Sequence, residues 1–252
     1  MPADGSAPRN GSTPKGGLGT IRNATVLMDL LAQPPHLHQL SDLAQRSGMT
    51  VPTVHRLLRS LVHAEYAEQD PATSRYGLGR AITRLAVRQL SNSPVLSALN
   101  PFLASLRDEL SATIAVHVLI SGEAVCIDQV DAADRGPFRR PLRAVPALST
   151  AAGRLLAAHQ PDEAWNRILT GSGTEDEAEA QSHREDWRRS DHLTHSSADP
   201  GASDEVAVPV RAADGSVVAA LSADLRPDAD LARIVSLLTR TAASGGRSIA
   251  HA

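Results

Sequence analysis

Residues 40–61 read LSDLAQRSGMTVPTVHRLLRSL, and this stretch decides the fold. Leu40, Leu43 and Ala44 give a first short helix its apolar side, and Gly48-Met49 supplies the turn. Thr50 stands at the N-cap position of a second helix, Thr50 to Leu61, with Pro52 in the first turn, where a missing N–H costs nothing. Val54, Leu57, Leu58 and Leu61 recur at i, i+3, i+4, i+7 and form the side that must be buried. The opposite side carries Pro52, Arg56, Arg59 and His63, flanked by Thr53, His55 and Ser60. Two guanidinium groups one turn apart beside small hydroxyls suit a DNA major groove, because arginine pairs bidentately with guanine or with phosphate oxygens. The same stretch also reads as a plain helical hairpin with a solvated basic face.

Working outward, Ile21 to Ala32 reads as a helix stopped by Pro34-Pro35, packing behind the two-helix motif. After it, residues 64–78 read as two short extended segments around a Pro-containing turn, the wing of a winged helix. Arg75 is its natural DNA contact, though an ordinary surface arginine fits equally well. Arg80 to Leu90 has helical spacing and ends in Ser91-Asn92-Ser93-Pro94, a linker helix followed by a breaker. Pro101 to Leu110 is a helix with Phe102, Leu103, Leu106 and Leu110 inward. From Thr113 the period changes: Thr113 to Ile120 and Ala124 to Val130 form one hairpin, Glu205 to Arg211 and Ser216 to Asp224 another. Between them lie a long loop, 131–146, with Arg135, Arg139, Arg140 and Arg143, then helices at 149–158 and 161–169. A polar, acidic passage of variable order follows at 171–201, with Trp187 in a helix. Residues 228–243 close as a helical seam. The rear half is thus α+β, an antiparallel sheet with helices on one side, and not a doubly wound nucleotide fold.

Composition agrees. The 252 residues leave room for about two domains, and 42% apolar content supports ordinary cores without a membrane-length run. The net charge of −3 hides opposite halves, +4 over residues 1–89 and −7 over 90–252, so a basic front meets phosphate if either half does. All 25 basic residues but Lys15 are arginine, a bias that GC-rich codon usage explains better than recognition does. Met1 to Gly19 is a Gly/Pro/Ser-rich tail without an export pattern, which makes the sequons at Asn10 and Asn23 accidental. A single cysteine, Cys126, excludes a disulfide framework. Together these point to a cytoplasmic protein with no membrane partner.

The order of parts resembles the IclR-type bacterial transcriptional regulators over nearly everything after residue 20. At the front, LSDLAQRSGMTVPTVHRLLRSLVHAEYAEQD followed by SRYGLG is similar to that family's helix-turn-helix and wing. In the rear, PALSTAAGRLL (146–156), EVAVPV, Asp214-Gly215 and VVAALSADL match in order, with Arg154 where lysine is usual and Ala147-Leu148 where Leu-His is usual. The resemblance implies a tail (1–19), a winged helix-turn-helix (20–79), a linker helix (80–93) and a GAF-like effector-binding and oligomerisation domain (94–252). It implies a homodimer or dimer of dimers that acts as a repressor on a pseudo-palindromic double-stranded operator. Thr50, Pro52, Thr53, His55, Arg56, Arg59 and Arg75 form the expected DNA-binding set. Asp128, Ser149, Thr150, Glu205, Ala207 and Ser222 are placed by position around a cavity for a small organic effector, a carboxylate or a phenol. Each also has a capping or structural reading.

Other chemistry is not supported. His183, Asp191, His192 and His195 match no metal-ligand spacing, and Cys126 with His117 reads as a buried thiol beside a strand histidine. No Gly-rich phosphate loop, nucleophile elbow or carboxylate pair occurs, so neither an enzyme nor a cofactor is expected. The alternative is a metabolite or protein-interaction sensor whose winged helix contacts a protein instead of DNA.

Overall fold

A computed structural model describes residues 15–133, 144–172, 174–196 and 204–249. The chain divides into two compact units, residues 1–89 and 90–252.

In the N-terminal unit, helices α1 (Lys15–Leu31), α2 (Leu40–Ser47) and α3 (Val51–His63) precede a two-stranded antiparallel sheet of β1 (Ala67–Gln69) and β2 (Tyr76–Leu78). Helix α1 starts at Lys15 and not at Ile21, so it takes in five residues assigned to the tail. Gly48 ends α2 in the left-handed region at φ 68°, its N–H bonded to Gln45 O, which lets the chain turn at once into α3. Leu27, Leu31, Leu43, Val54, Leu57, Leu58, Ala67 and Tyr76 form the core. His38 exchanges two 2.8 Å backbone bonds with Tyr76, tying the segment before α2 to the wing.

Helix α4 (Arg80–Ser91) contains the division between the units. The C-terminal unit then builds α5 (Pro94–Leu110), β3 (Ile114–Ile120), β4 (Glu123–Val130), β5 (Ala144–Pro146), a 3-10 turn at Ala147–Ser149, α6 (Ala151–Ala158), α7 (Asp162–Ser172), α8 (Thr174–Arg189), β6 (Leu193–His195), β7 (Asp204–Arg211), β8 (Val217–Leu225) and α9 (Leu231–Gly246). The strands make one antiparallel sheet in the order β5-β4-β3-β8-β7-β6.

Several expectations are corrected. The helix breaks between Ser91 and Pro94 as expected, but the next helix begins at Pro94 and not at Pro101: Ser93 caps α5 by accepting the Leu96 N–H, and Pro94 occupies the first helical position. Extending α5 back to Pro94 lets Val95, Leu96 and Leu99 set the buried stripe, which continues through Leu103 and Leu106. Phe102, expected inward, falls at the margin and is 37% exposed. The passage 171–201 includes α8, with Trp187 buried, and strand β6, while Ala144–Pro146 of the expected loop pairs with β4. Arg135, Arg139, Arg140 and Arg143 lie outside the described residues. Helices cover both faces of the sheet instead of one. Val116, Val206, Val208, Val210 and Leu221 join a core with residues of α5 and α9, while Ala207 and Ala220 meet Ala151, Ala152 and Leu156 of α6. Strand β7 is accordingly a run of buried residues and not a simple alternation, as a strand covered twice must be.

Candidate nucleic-acid interface and effector face

Burial divides α3 as its sequence period requires. Val54, Leu57 and Leu58 are buried, whereas Pro52, His55, Arg56, Arg59, Ser60 and His63 are exposed and Thr53 is half-buried. Thr50 has the extended backbone of an N-cap, but its hydroxyl makes no capping bond. It bonds instead to the Thr53 hydroxyl at 2.9 Å. The first-turn N–H groups of α3 are therefore not covered by a side chain, and the helix dipole adds positive potential at the same end.

The wing is rigid at its turn. Asp70 Oδ1 accepts from the Thr73 and Ala72 N–H groups at 2.7 and 2.9 Å and from the Thr73 hydroxyl, and these bonds hold its carboxyl below the ordinary carboxylate range. Ser74 takes φ 59°, and the next residue, Arg75, is exposed. An open hollow of about 510 Å³ lies between α3 and the wing, lined by His55, Arg59, Val62, His63, Gln69 and Tyr76. The arginines of this unit are of two kinds. Arg80 and Arg84 both pair with Glu65, whose carboxyl Arg80 holds down, while no ion pair among the described residues uses Arg56, Arg59 or Arg75. The structure thus brings together on one side of the unit the basic residues singled out on α3.

In the C-terminal unit, four of the six expected effector residues gather and two do not. Thr150 caps α6, its Oγ1 accepting the Gly153 N–H at 3.0 Å. Glu205 Oε2 accepts the Ala151 N–H at 3.0 Å. Ala207 and Ser222 face each other across β7 and β8, both buried. Ser149 is exposed and donates to Pro146 O at 2.7 Å. Asp128 faces away: the register of β3 and β4 slips between Val116 and His117, so Asp128 stands opposite Val116, whose side chain belongs to the α5 and α9 core. The Asn100 amide of α5, turned to present its nitrogen, donates to Asp128 Oδ2 at 2.9 Å.

His117 joins the four and was missed as a member of the cluster. Its Nε2 is hydrogen-bonded to Ser222 Oγ at 3.0 Å and lies 3.8 Å from Glu205 Oε1. Burial pushes its pKa down to about 4, and its Nδ1 is sealed from solvent without a partner among the described residues. The only sequence signal for this was its place in a β-rich run, since its bond to Ser222 spans 105 residues. Cys126 stands opposite His117 in the register and is buried. His183 stacks on Trp187, and no group of three His, Cys, Asp or Glu residues placed to hold a metal occurs among the described residues. Nor is any described helix long and apolar enough to cross a membrane. Arg154 donates from Nε to Leu148 O at 2.7 Å and lies over Trp187, while Arg184 lies over Trp165; these contacts fasten α6 to α8 and α8 to α7.

Residues 20–71 match the family model of the IclR helix-turn-helix domain. Over 161 residues the chain is 32% identical to the HTH-type transcriptional regulator TtgV of Pseudomonas putida, covering 61% of this chain and 59% of that one. It is 24% identical over 175 residues to the transcriptional repressor IclR of Escherichia coli, covering 68% and 62%. The chain thus spans about 60% of the length of these curated relatives. A solved IclR homologue from Microbacterium hydrocarbonoxydans, complexed with 4-hydroxybenzoate, shares the fold with a TM-score of 0.68 at 17% identity, over 91% of this chain and 98% of that one.

Proposed function

We propose that this chain, whose residues 20–71 match the IclR helix-turn-helix domain, is a DNA-binding transcriptional repressor of the IclR type controlled by a small organic effector. The observation that carries the proposal is the exposed face of α3, where Arg56 and Arg59 stand outside every described ion pair beside His55 and His63. Inserted in a major groove, Arg56 and Arg59 read base edges or phosphates, Thr53 and His55 add polar contacts, and the uncovered N-terminus of α3 at Thr50 and Pro52 faces a phosphate. Arg75 extends the contact along the backbone from the wing. A second copy is supported by α4, which leaves Leu85 and Val87 44% and 56% exposed, and by Ile21 of α1, 69% exposed. Two copies then read a two-fold operator. The repressing sign follows the printed name of the Escherichia coli relative. An effector is suggested by the 4-hydroxybenzoate complex, and Thr150, Glu205, Ala207 and Ser222 would be among the residues that meet it.

Gel-shift titration on a mapped operator tests the reading. Arg56→Ala is expected to cost about 1–3 kcal/mol of specific binding, and Arg75→Ala to weaken binding more evenly across sequences. Affinity must fall steeply as salt rises, because each neutralised phosphate releases counterions. An Arg56→Ala protein that binds like the wild type removes α3 from the interface.

A further inference from the structure

We propose that the hollow between α3 and the wing is a seat for the phosphodiester backbone of DNA that gains positive charge as the duplex enters it, so that operator affinity rises as pH falls through protonation of His55 and His63. This rests on the reading of α3 as the helix that meets DNA.

The hollow follows from the spacing of α3. His55, Arg59 and His63 recur every fourth residue, which sets them in one stripe along the helix. All three are exposed and line the hollow, and Val62, Gln69 and Tyr76 complete its walls. No hydrogen bond or ion pair among the described residues uses the side chain of His55, Arg59 or His63. The stripe runs about 12 Å along the helix, against ~3.4 Å of duplex axis per phosphate on one strand. A polyanion can use its whole length, whereas a single phosphate meets only part of it.

No carboxylate lines the hollow. Its titratable and charged groups are His55, Arg59 and His63 from α3 and the phenol of the buried Tyr76 from β2; β1 supplies the neutral Gln69, and α1 and α2 supply none. Arg56, next to His55 on α3, adds charge of the same sign as Arg59. The acidic groups nearby are placed elsewhere. Glu68 and Asp70 line a separate hollow with Leu31, His36 and Leu37, Asp70 is bonded within the wing turn, and Glu65 pairs with Arg80 and Arg84. Arginine keeps its charge at every working pH, whereas an imidazole gains one within the physiological range. A phosphate beside an imidazole favours the protonated ring. Bound histidines therefore hold more protons than free ones, so lowering the pH tightens binding, by up to about ten-fold per pH unit for each proton taken up.

Binding of the full chain to a labelled duplex carrying the mapped operator is followed by fluorescence anisotropy between about pH 8 and pH 6 at constant ionic strength. Calorimetry in two buffers of different ionisation enthalpy counts the protons taken up. Wild type is expected to bind at least about ten-fold more tightly at the lower pH, with net proton uptake. His55→Gln and His63→Gln each keep a neutral polar side chain, and each removes part of that gain; the double variant removes nearly all of it. His63→Arg carries a charge that does not titrate, so it binds more tightly than wild type at the higher pH and has the shallower pH profile, which a merely structural histidine would not produce. Wild-type affinity that is indifferent to pH, a gain that survives in the double variant, or a His63→Arg protein with the wild-type profile overturns the proposal and leaves DNA binding by α3 standing. Failure of all these proteins to bind the duplex at any pH overturns both.

Discussion

Helices α3 and α6 both begin just after a threonine, and the two beginnings are built for opposite ends. At α3 the Thr50 hydroxyl turns to Thr53 and caps nothing, the N-terminus faces solvent, and no described ion pair uses Arg56 or Arg59. At α6 the Thr150 hydroxyl and the Glu205 carboxylate close the first turn from within the protein. A helix N-terminus offers unpaired N–H groups and positive potential in both cases. What differs is whether the chain closes the helix start with its own side chains or leaves it open to solvent.

The contrast can be tested from its largest consequence downward. The open side of α3 depends on its apolar side for support, so Leu58→Ala is expected to cost about 2–5 kcal/mol, read by urea melts. Near-wild-type stability would mean that α3 is not anchored by its core stripe. On the closed side, His117 titrates at about 4 when folded against 6.5 ordinarily, so as pH falls the unfolded chain takes up its proton first. Its contribution is therefore full above about pH 6.5, is lost progressively between 6.5 and 4, and levels off below. That is a loss on the order of 2 kcal/mol by pH 5, which His117→Gln removes from the pH slope of the melts. A slope identical in wild type and variant would place His117 in water. Smallest is the threonine pair itself. Thr150→Ala should lower stability by about 1 kcal/mol, as loss of a working cap does, and Thr50→Ala by less than about 0.5 kcal/mol. Equal effects would erase the distinction between the two helix starts.

Much of this was legible in the chain before folding. The helical period of Val54, Leu57 and Leu58 left only one side of α3 for Arg56 and Arg59, and Gly48 marked the turn, because local spacing alone fixes which residues share a helix face. The two hairpins of the sheet were legible for the same reason, from strand-forming runs around Ser121-Gly122 and Asp214-Gly215. The tertiary structure alone decided that Asp128 leaves the side of the sheet that meets α6 and that His117 joins Glu205 and Ser222 there. One extra residue in β4 reverses the side on which Asp128 points, and the bonds from Glu205 to Ala151 and from His117 to Ser222 join residues 54 and 105 positions apart. Local propensity carries no information about partners at that separation; strand register and the packing of α6 on the sheet supply it.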